Sequence, residues 1–368
     1  MGYFKGIKLR FYRNFIDSSF EFDKGCNIII GKNGSGKTNI LESLSLLEKG
    51  RGFKKEKLNN LINYEAQDKN FHIRSTFYHE DIDYNADVFS INQNERNLKK
   101  MLINGSDDRD SLKHFENLVS FIYFLPEMER LFVSSPLSRR NFIDRLIYTK
   151  DKTYNLLIIK YKKLIHERQQ ILKNSHYDEM WIDKLENDIV NFGIEIYKKR
   201  FRQIHILNSI LLKLDIVQNL SFKYILKLTD IFVEKNLNTD DLDKKFFSIA
   251  LKKNRKIDTL TGGCAIGPHR SDIIGYKLNT NFGINQFSTG QQKTAILLII
   301  IAQCKYLIEE NNLKPIILLD EICSHLDNDN RELLLYLIDK LDVQVFMTGT
   351  DKNLFSFLST KAYYCNIT

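Results

Sequence analysis

The sequence predicts an α/β fold whose central sheet is built from both ends of a 368-residue chain. Near the N-terminus, an apolar run at residues 27–30 leads into a glycine-rich loop and then a helical pattern. Near the C-terminus, the apolar run 315–319 ends in two adjacent acids, Asp320 and Glu321. A continuous apolar run is typical of a strand buried on both faces of a parallel sheet, so both runs are predicted to be central strands.

The glycine-rich loop at residues 31–38 fits the phosphate-loop template G-x-x-x-x-G-K-[ST] at every fixed position. Lys37 is predicted to contact the β- and γ-phosphates of ATP, and the Thr38 hydroxyl to ligate Mg²⁺. The following helix directs its positive end at the same phosphates. A chance glycine-rich turn is the alternative, but the strand before it and the helix after it argue against that. The predicted nucleotide-binding residues are Gly31, Lys32, Asn33, Gly34, Ser35, Gly36, Lys37 and Thr38.

The two acids after the C-terminal strand predict the chemistry of the site. Asp320 is placed to hold Mg²⁺, usually through water, and Glu321 can act as general base on the attacking water. Lys37, Asp320 and Glu321 are therefore the predicted catalytic residues, and Thr38 and Asp320 the predicted metal ligands. The alternative is a buried strand capped by solvated acids, and the phosphate loop disfavours it.

A third motif, residues 287–293, precedes a long apolar helix. Ser288 is a plausible helix N-cap, with Gln291 three residues later to complete a capping box. That structural role accounts for Ser288 and Gln291 but leaves the run from Gly290 to Lys293 unexplained.

The remaining segments predict the domain organisation. Residues 1 to about 125 alternate in short strand-like runs, which suits an antiparallel region beside the nucleotide strand. Residues 137–267 lack proline, and the stripe from Trp181 to Ile196 predicts an amphipathic helix that pairs with an earlier helix at 154–171. We predict a head at residues 1–135 and 256–368, with a helical lobe inserted at 136–255.

The motif at 288–292 is similar to the signature of ATP-binding-cassette (ABC) ATPases. In that family this serine and glycine, with the helix end behind them, grip the γ-phosphate bound to the opposite subunit. The resemblance implies that Ser288, Gly290 and Gln291 bind ATP across a homodimer. Residues 324–327 resemble the family's D-loop, which adds Asp327 to the predicted site.

Further blocks narrow the resemblance to the RecF family, relatives of SMC proteins that lack the long coiled coil. These blocks lie at residues 7–15, 49–54, 124–127, 135–144 and 267–272. The resemblance implies an ABC-type head and a weak ATPase that serves as a switch in DNA replication and gap repair, in a RecFOR-type pathway and the SOS response. ATP binding would dimerise two heads on DNA, and hydrolysis would release them.

The charge of the chain favours an acidic partner. Its formal net charge is +8 and its pI is about 9.0, which suits binding to DNA phosphates without sequence preference. The resemblance adds double-stranded DNA, junctions with single strands, RecR and RecO as partners. Solvated surface charge is the alternative. The basic clusters named for DNA are Lys54, Lys55, Lys57; Arg139, Arg140; Lys198, Lys199, Arg200, Arg202; and Lys252, Lys253, Arg255, Lys256.

Two further predictions concern location and coupling. An odd count of five cysteines without a C-x-x-C pair, no signal peptide and no membrane span predict a cytoplasmic protein with reduced thiols. The turn with His269 and Arg270 is predicted to couple nucleotide state to DNA, with an ordinary surface turn as the alternative.

Two other functions stay open. One is a structural DNA clamp that binds ATP with little turnover. The other is the ATP-binding subunit of a membrane transporter, which predicts a histidine just after the strand that follows the acids. Residues 348–351 contain none, and the inserted lobe is longer than such a subunit needs.

Overall fold

The computed structural model describes residues 2–67, 69–93, 96–174, 176–218, 222–235, 244–322 and 327–367. The chain divides into two compact units, Met1–Glu129 with Lys293–Thr368, and Arg130–Gln292. The predicted boundaries were 135/136 and 255/256. The structure groups residues 256–292 with the second unit, because they continue one of its helices and supply a strand that pairs inside it.

The strands of the described chain are β1 (Tyr3–Tyr12), β2 (Phe15–Glu21), β3 (Cys26–Ile30), β4 (His72–His79), β5 (Ile82–Gln93), β6 (Arg96–Ile103), β7 (Phe121–Phe124), β8 (Tyr224–Thr229), β9 (Asp272–Lys277), β10 (Ile316–Leu319), β11 (Val345–Gly349) and β12 (Ala362–Asn366). The α-helices are α1 (Lys37–Ser45), α2 (Arg109–Leu118), α3 (Pro136–Lys150), α4 (Tyr154–Lys173), α5 (Glu179–Leu211), α6 (Asp215–Gln218), α7 (Ile231–Lys235), α8 (Lys244–Thr261), α9 (Thr289–Asn311) and α10 (Asn328–Lys340).

The first unit contains two five-stranded sheets. One is antiparallel, in the order β2-β1-β4-β5-β6, and the other is parallel, in the order β12-β3-β11-β10-β7. The parallel sheet takes strands from both ends of the chain, as predicted. The strand that precedes the phosphate loop and the strand that ends in the acids are separated by β11 alone, so their carboxyl ends meet at one edge.

Aromatic packing joins the two sheets. Phe4 of β1 stacks on Phe121 of β7, with ring centroids 5.8 Å apart. Phe22 meets Phe346 of β11 edge-on at 4.8 Å. All four rings are buried, so each sheet covers the apolar face of the other.

Gln344 completes this junction with hydrogen bonds. Its Oε1 accepts from the backbone N–H of Phe4, and its Nε2 donates to the Phe4 and Asp23 carbonyls, each at 2.8 Å. The contact lies where the pairing of β1 with β4 shifts register, between Phe4 and Gly6. The buried carboxamide satisfies backbone groups there that would otherwise be left unpaired.

The second unit consists of helices and the antiparallel pair β8–β9. The predicted helices at 154–171 and after residue 181 are α4 and α5, and five residues join them. Arg168 of α4 is buried and donates to Glu186 of α5 at 2.8 Å and to Asp258 of α8 at 2.7 Å. One charged group therefore ties three helices together, and its charge is balanced by two carboxylates.

One part of the predicted apolar stripe is wrong. Leu185, Ile189 and Ile196 are buried as expected, but Trp181 is 56% exposed. Trp181 is the third residue of α5 and lies in its first turn, before the buried part of the stripe begins at Ile182 and Leu185.

Four of the five cysteines lie within the described residues. Cys26, Cys264 and Cys304 are buried, Cys365 is half-buried, and none of these four forms a disulfide. Cys323 lies outside the described residues. No helix in the described ranges combines the length and the apolar composition that a membrane crossing requires.

Candidate nucleotide-binding site

The phosphate loop connects the end of β3 at Ile30 to the start of α1 at Lys37. Two of its glycines have left-handed backbones, with φ of 83° at Gly34 and 106° at Gly36, a region that favours glycine. A Cβ on Gly36 would also lie 2.6–2.7 Å from the side chain of Asn14. Both conformation and space therefore require glycine at position 36.

Lys37 is held at the centre of this loop. Its side-chain nitrogen donates to the carbonyl oxygens of Gly31 at 2.8 Å and Lys32 at 2.9 Å, and the residue is 5% exposed. An ammonium group has three donors, so one remains for a phosphate oxygen.

The loop offers further donors. No side chain caps the N-terminus of α1, which leaves its first backbone N–H groups to an anion. The Ser35 hydroxyl is buried without a hydrogen-bond partner. An unpaired buried hydroxyl beside an uncapped helix N-terminus is compatible with a phosphate group, and the binding role of Ser35 stays a prediction.

Thr38 and Asp320 converge from opposite ends of the chain. The Thr38 hydroxyl lies 3.0 and 2.9 Å from the two carboxylate oxygens of Asp320. Neighbouring ligands of an octahedral Mg²⁺ ion are also separated by about 2.9 Å, since each lies about 2.1 Å from the metal. The Thr38 hydroxyl oxygen and an Asp320 carboxylate oxygen are therefore spaced as two adjacent ligands of one Mg²⁺ ion would be.

The residues supply few metal ligands of their own. Within the described ranges, no group of three or more His, Cys, Asp or Glu side chains is arranged to hold a metal ion. Mg²⁺ typically binds one or two protein oxygens and completes its shell with substrate phosphates and water. The Thr38 hydroxyl and the Asp320 carboxylate, beside a phosphate loop, would supply that number of protein ligands.

Thr348 is a residue that the sequence analysis did not assign to the site. Its hydroxyl, at the end of β11, donates to Asp320 at 2.7 Å and accepts from the backbone N–H of Glu321 at 2.8 Å. Thr348 thus fixes both acids at once. The sequence does contain a pattern that points to Thr348. Residues 343–347, apolar except for Gln344, are a run typical of a third parallel strand, and the carboxyl ends of parallel strands lie at one edge of the sheet.

Glu321 has an unusual backbone. Its φ is 51°, in the left-handed region, which costs free energy for any residue other than glycine. The hydrogen bond from its N–H to Thr348 holds this conformation. The side chain is exposed, while that of Asp320 beside it is buried. The two acids therefore occupy different environments, and their catalytic and metal-binding roles stay predictions.

Asn14, in the turn between β1 and β2, supports the phosphate loop from outside. Its Nδ2 donates to the Ser35 carbonyl at 2.8 Å, and its Oδ1 accepts from Asn39 of α1 at 2.8 Å. The neighbouring Arg13 forms a two-pronged ion pair with the buried Glu42 of α1, at 2.8–3.0 Å. The turn is thereby fixed to the loop and to the helix that follows it.

The signature residues form a capping box at the start of α9. The Ser288 hydroxyl accepts from the Gln291 backbone N–H at 3.3 Å, and the Gln291 side chain accepts from the Ser288 N–H at 3.2 Å. The predicted structural role is confirmed. Ser288 is exposed and belongs to the second unit, as do Gly290 and Gln291.

The predicted D-loop is only partly described. Asp327 caps α10, where its Oδ1 accepts from the Asn330 N–H at 2.9 Å. Ser324, His325 and Leu326 lie outside the described residues.

Within the turn at 267–272, the His269 ring is held by hydrogen bonds at both nitrogens, whereas Arg270 is exposed. Nε2 of His269 lies 2.9 Å from the Cys264 carbonyl, which can only accept, so Nε2 carries the proton. Nδ1 then accepts from the Tyr161 hydroxyl at 2.8 Å. Burial lowers the pKa of His269 to about 4, and the ring is neutral near pH 7.

The structure separates the cations predicted to contact DNA into two groups. Several are neutralised by carboxylates within the second unit; these are Arg139 with Asp272, Lys199 with Asp151, Arg200 with Asp144, Lys252 with Asp183 and Arg255 with Glu186. Lys252 of this paired set is itself exposed. The other exposed cations are Lys54, Lys55, Lys57, Lys198, Arg202, Lys253 and Lys256. Arg140 donates to the Ser271 carbonyl, and burial lowers its pKa.

Comparison with known proteins identifies relatives along almost the whole chain. The family model for the RecF/RecN/SMC N terminal domain matches residues 3–364. The DNA replication and repair protein RecF of Rickettsia prowazekii (strain Madrid E) is 31% identical over 360 residues, which cover 94% of this chain and 93% of the relative.

Solved structures agree. A structure of the recombination mediator protein RecF with ATP, in the RecFOR pathway, has a TM-score of 0.81 at 25% identity and covers 95% of this chain and 92% of that one. A structure of RecF with ATPrS has a TM-score of 0.84 at 23% identity and covers 100% and 96%. The predicted fold class, an α/β ATPase head of the SMC type, is confirmed.

Proposed function

This chain belongs to the RecF family of DNA replication and repair proteins, and from that membership we propose an ATP-operated switch on DNA. Its phosphate loop binds ATP, ATP binding joins two copies, and hydrolysis separates them. The observation that carries the proposal is the contact between Thr38 and Asp320 at an intact phosphate loop, with Glu321 next to Asp320 in the chain.

Each residue of the site has a defined task. The Lys37 ammonium group and the α1 N-terminus bind the phosphates. Thr38 and Asp320 would hold Mg²⁺, which when bound neutralises phosphate charge. The Glu321 carboxylate takes a proton from the attacking water. The Thr348 hydroxyl accepts a hydrogen bond from the Glu321 N–H and so holds the backbone of Glu321 in place.

Turnover is proposed to be weak, because the site of one copy lacks part of its phosphate-binding set. The missing part is Ser288 and Gly290 of a second copy, whose exposed capping box offers a hydroxyl and a helix N-terminus. Asp327 of the second copy would approach the same interface. The lifetime of the dimer on DNA then depends on hydrolysis.

DNA binding is proposed to use the exposed cations rather than the paired ones. An arginine already neutralised by a buried carboxylate gains little from a phosphate, whereas an exposed lysine gains counterion release. Binding should be independent of sequence and weaken steeply with salt. Duplexes beside single-stranded gaps, RecR and RecO are the partners that family membership suggests.

A paired set of variants tests the switch. Lys37→Ala should lower ATP affinity and ATP-driven dimerisation together, because it removes the cation at the phosphates. Ser288→Arg should leave ATP binding by the monomer unchanged and abolish the dimer. Sedimentation with ATP and Mg²⁺ measures the dimer. A Ser288→Arg protein that dimerises normally would show that the site is complete within one copy.

The structural clamp remains the second candidate, supported by the exposed side chain and constrained backbone of Glu321. Phosphate release with and without DNA decides between them. The switch predicts that Glu321→Gln lowers release by about 100-fold or more and prolongs the dimer. The clamp predicts equal, near-zero release from both proteins.

A further inference from the structure

An uncharged segment of the chain leads into the signature. Residues 278–292 contain no Asp, Glu, Lys or Arg, although these make up 27% of the chain. The segment is not hidden, because most of its polar side chains are exposed; these are Asn279, Thr280, Asn281, Asn285, Gln286, Ser288 and Thr289. Lys277 precedes it and Lys293 follows it, so the neutral stretch has sharp limits.

An aromatic side chain stands out of this surface. Phe282 is 46% exposed and stacks on Phe287, with ring centroids 5.8 Å apart and planes at 25°. Phe287 is itself buried and packs edge-on against Phe222 at 4.7 Å. The exposed ring is therefore seated on a packed aromatic pair directly before Ser288.

The loop that carries Phe282 is held by its own hydrogen bonds. The Phe282 N–H donates to the Thr280 hydroxyl at 3.2 Å, and the Phe282 carbonyl accepts from the Lys277 N–H at 2.8 Å. A loop backbone held in this way loses little conformational freedom when the ring that it carries is covered.

We propose that Phe282 and the neutral residues around it are an anchor of the contact between two copies of this chain. This inference rests on the proposed ATP-dependent dimer and assigns it a surface. A single exposed aromatic is ordinary. An exposed aromatic among uncharged polar residues, beside the residues that must reach a partner's nucleotide, has the composition of an interface core.

The charge of the molecule identifies the occupant. Each copy carries a net charge of +8, so two copies repel, and an uncharged contact segment adds no local repulsion to that. Nucleic acid is a poorer occupant, because its phosphates need cations and this segment supplies none. An acidic protein partner would likewise find no opposite charge.

Phe282→Ser tests the anchor in the full-length protein. The dissociation constant of the ATP-bound dimer, measured by sedimentation, should rise by about tenfold or more. ATP affinity of the monomer and the melting temperature should be unchanged. Phe282→Tyr, which keeps the ring, should dimerise like the wild type. Asn281→Lys should weaken the dimer in low salt and recover in high salt.

The results separate this inference from the proposed function. If Ser288→Arg abolishes the dimer while Phe282→Ser and Asn281→Lys dimerise normally, the switch stands and the anchor is refuted. If Ser288→Arg also dimerises normally, the proposed dimer itself fails. If Phe282→Ser dimerises normally but loses affinity for a DNA duplex or single strand, the surface binds nucleic acid and the anchor is refuted.

Discussion

The hydroxyl of Thr38 lies 2.9 Å from the carboxylate of Asp320, although 282 positions separate the two residues in the chain. Thr38 is the last residue of the phosphate-loop motif and lies in the first turn of α1, and Asp320 directly follows β10. The parallel sheet brings them together because the carboxyl ends of its strands share one edge. The order of the strands thus brings the predicted phosphate-binding element and the predicted catalytic carboxylate together.

Thr38→Ala should weaken Mg²⁺-dependent ATP binding by about 10- to 100-fold, since one metal ligand and a charge-assisted hydrogen bond are lost. Thr38→Ser keeps the hydroxyl and should behave nearly as the wild type. Titration of a fluorescent ATP analogue with and without Mg²⁺ measures the effect. Equal losses in the absence of Mg²⁺ would mean that Thr38 serves the phosphates directly.

The parts of the site that the sequence revealed are those whose residues are adjacent in the chain. The phosphate loop has fixed spacing within eight residues, and Asp320 and Glu321 are neighbours. Thr348 was not assigned, because its role depends on β11 lying beside β10. That neighbour relation is a property of sheet order, and no local pattern at position 348 encodes it.

The Arg139 side chain should contribute to stability rather than to DNA binding. It forms two 2.7 Å hydrogen bonds with Asp272 and is 12% exposed. Arg139→Glu should therefore destabilise the second unit by about 2–4 kcal/mol, since it leaves Asp272 beside a like charge. Thermal melting measures this loss.

A matched pair of exposed lysines provides the contrast. Lys253→Glu with Lys256→Glu should leave melting unchanged and lower both DNA affinity and the slope of log affinity against log salt. The proposal that exposed rather than paired cations bind DNA would be wrong if this double variant bound DNA normally while folded Arg139→Glu protein did not.

The basic clusters show a second limit of sequence reading. Arg139 and Arg140 are consecutive and charged, which is all that a sequence displays. The partner that neutralises Arg139 lies 133 residues away. Whether a cation is available to DNA depends on such distant pairing, so composition alone overstates the phosphate-binding surface.

The protein should become less stable as the pH decreases, because His269 has a lower pKa in the folded protein than in the unfolded chain. Burial lowers its pKa from 6.5 to about 4 in the folded protein, so the unfolded chain binds the proton first as pH falls. Stability is fully present above about pH 6.5 and declines toward pH 4, by at most about 3 kcal/mol.

His269→Gln removes the titrating group and should flatten this part of the profile. Melting temperatures of the two proteins at pH 7.5 and pH 5 supply the comparison. Equal drops in both proteins would assign the acid sensitivity to other groups.

Thr348 provides the sharpest test of how the two acids act together. Thr348→Val keeps the shape but removes the hydroxyl, so Asp320 loses a donor and the Glu321 N–H loses its acceptor. The left-handed backbone of Glu321 is then unsupported, and the general base is misplaced. We expect kcat for ATP hydrolysis to fall by about 10- to 100-fold while ATP affinity changes little, because the phosphate loop is untouched. Thr348→Ser restores the hydroxyl and should restore kcat. A Thr348→Val protein with normal kcat would show that Glu321 needs no such support, whereas an equal loss of affinity and kcat would place the hydroxyl in metal binding instead.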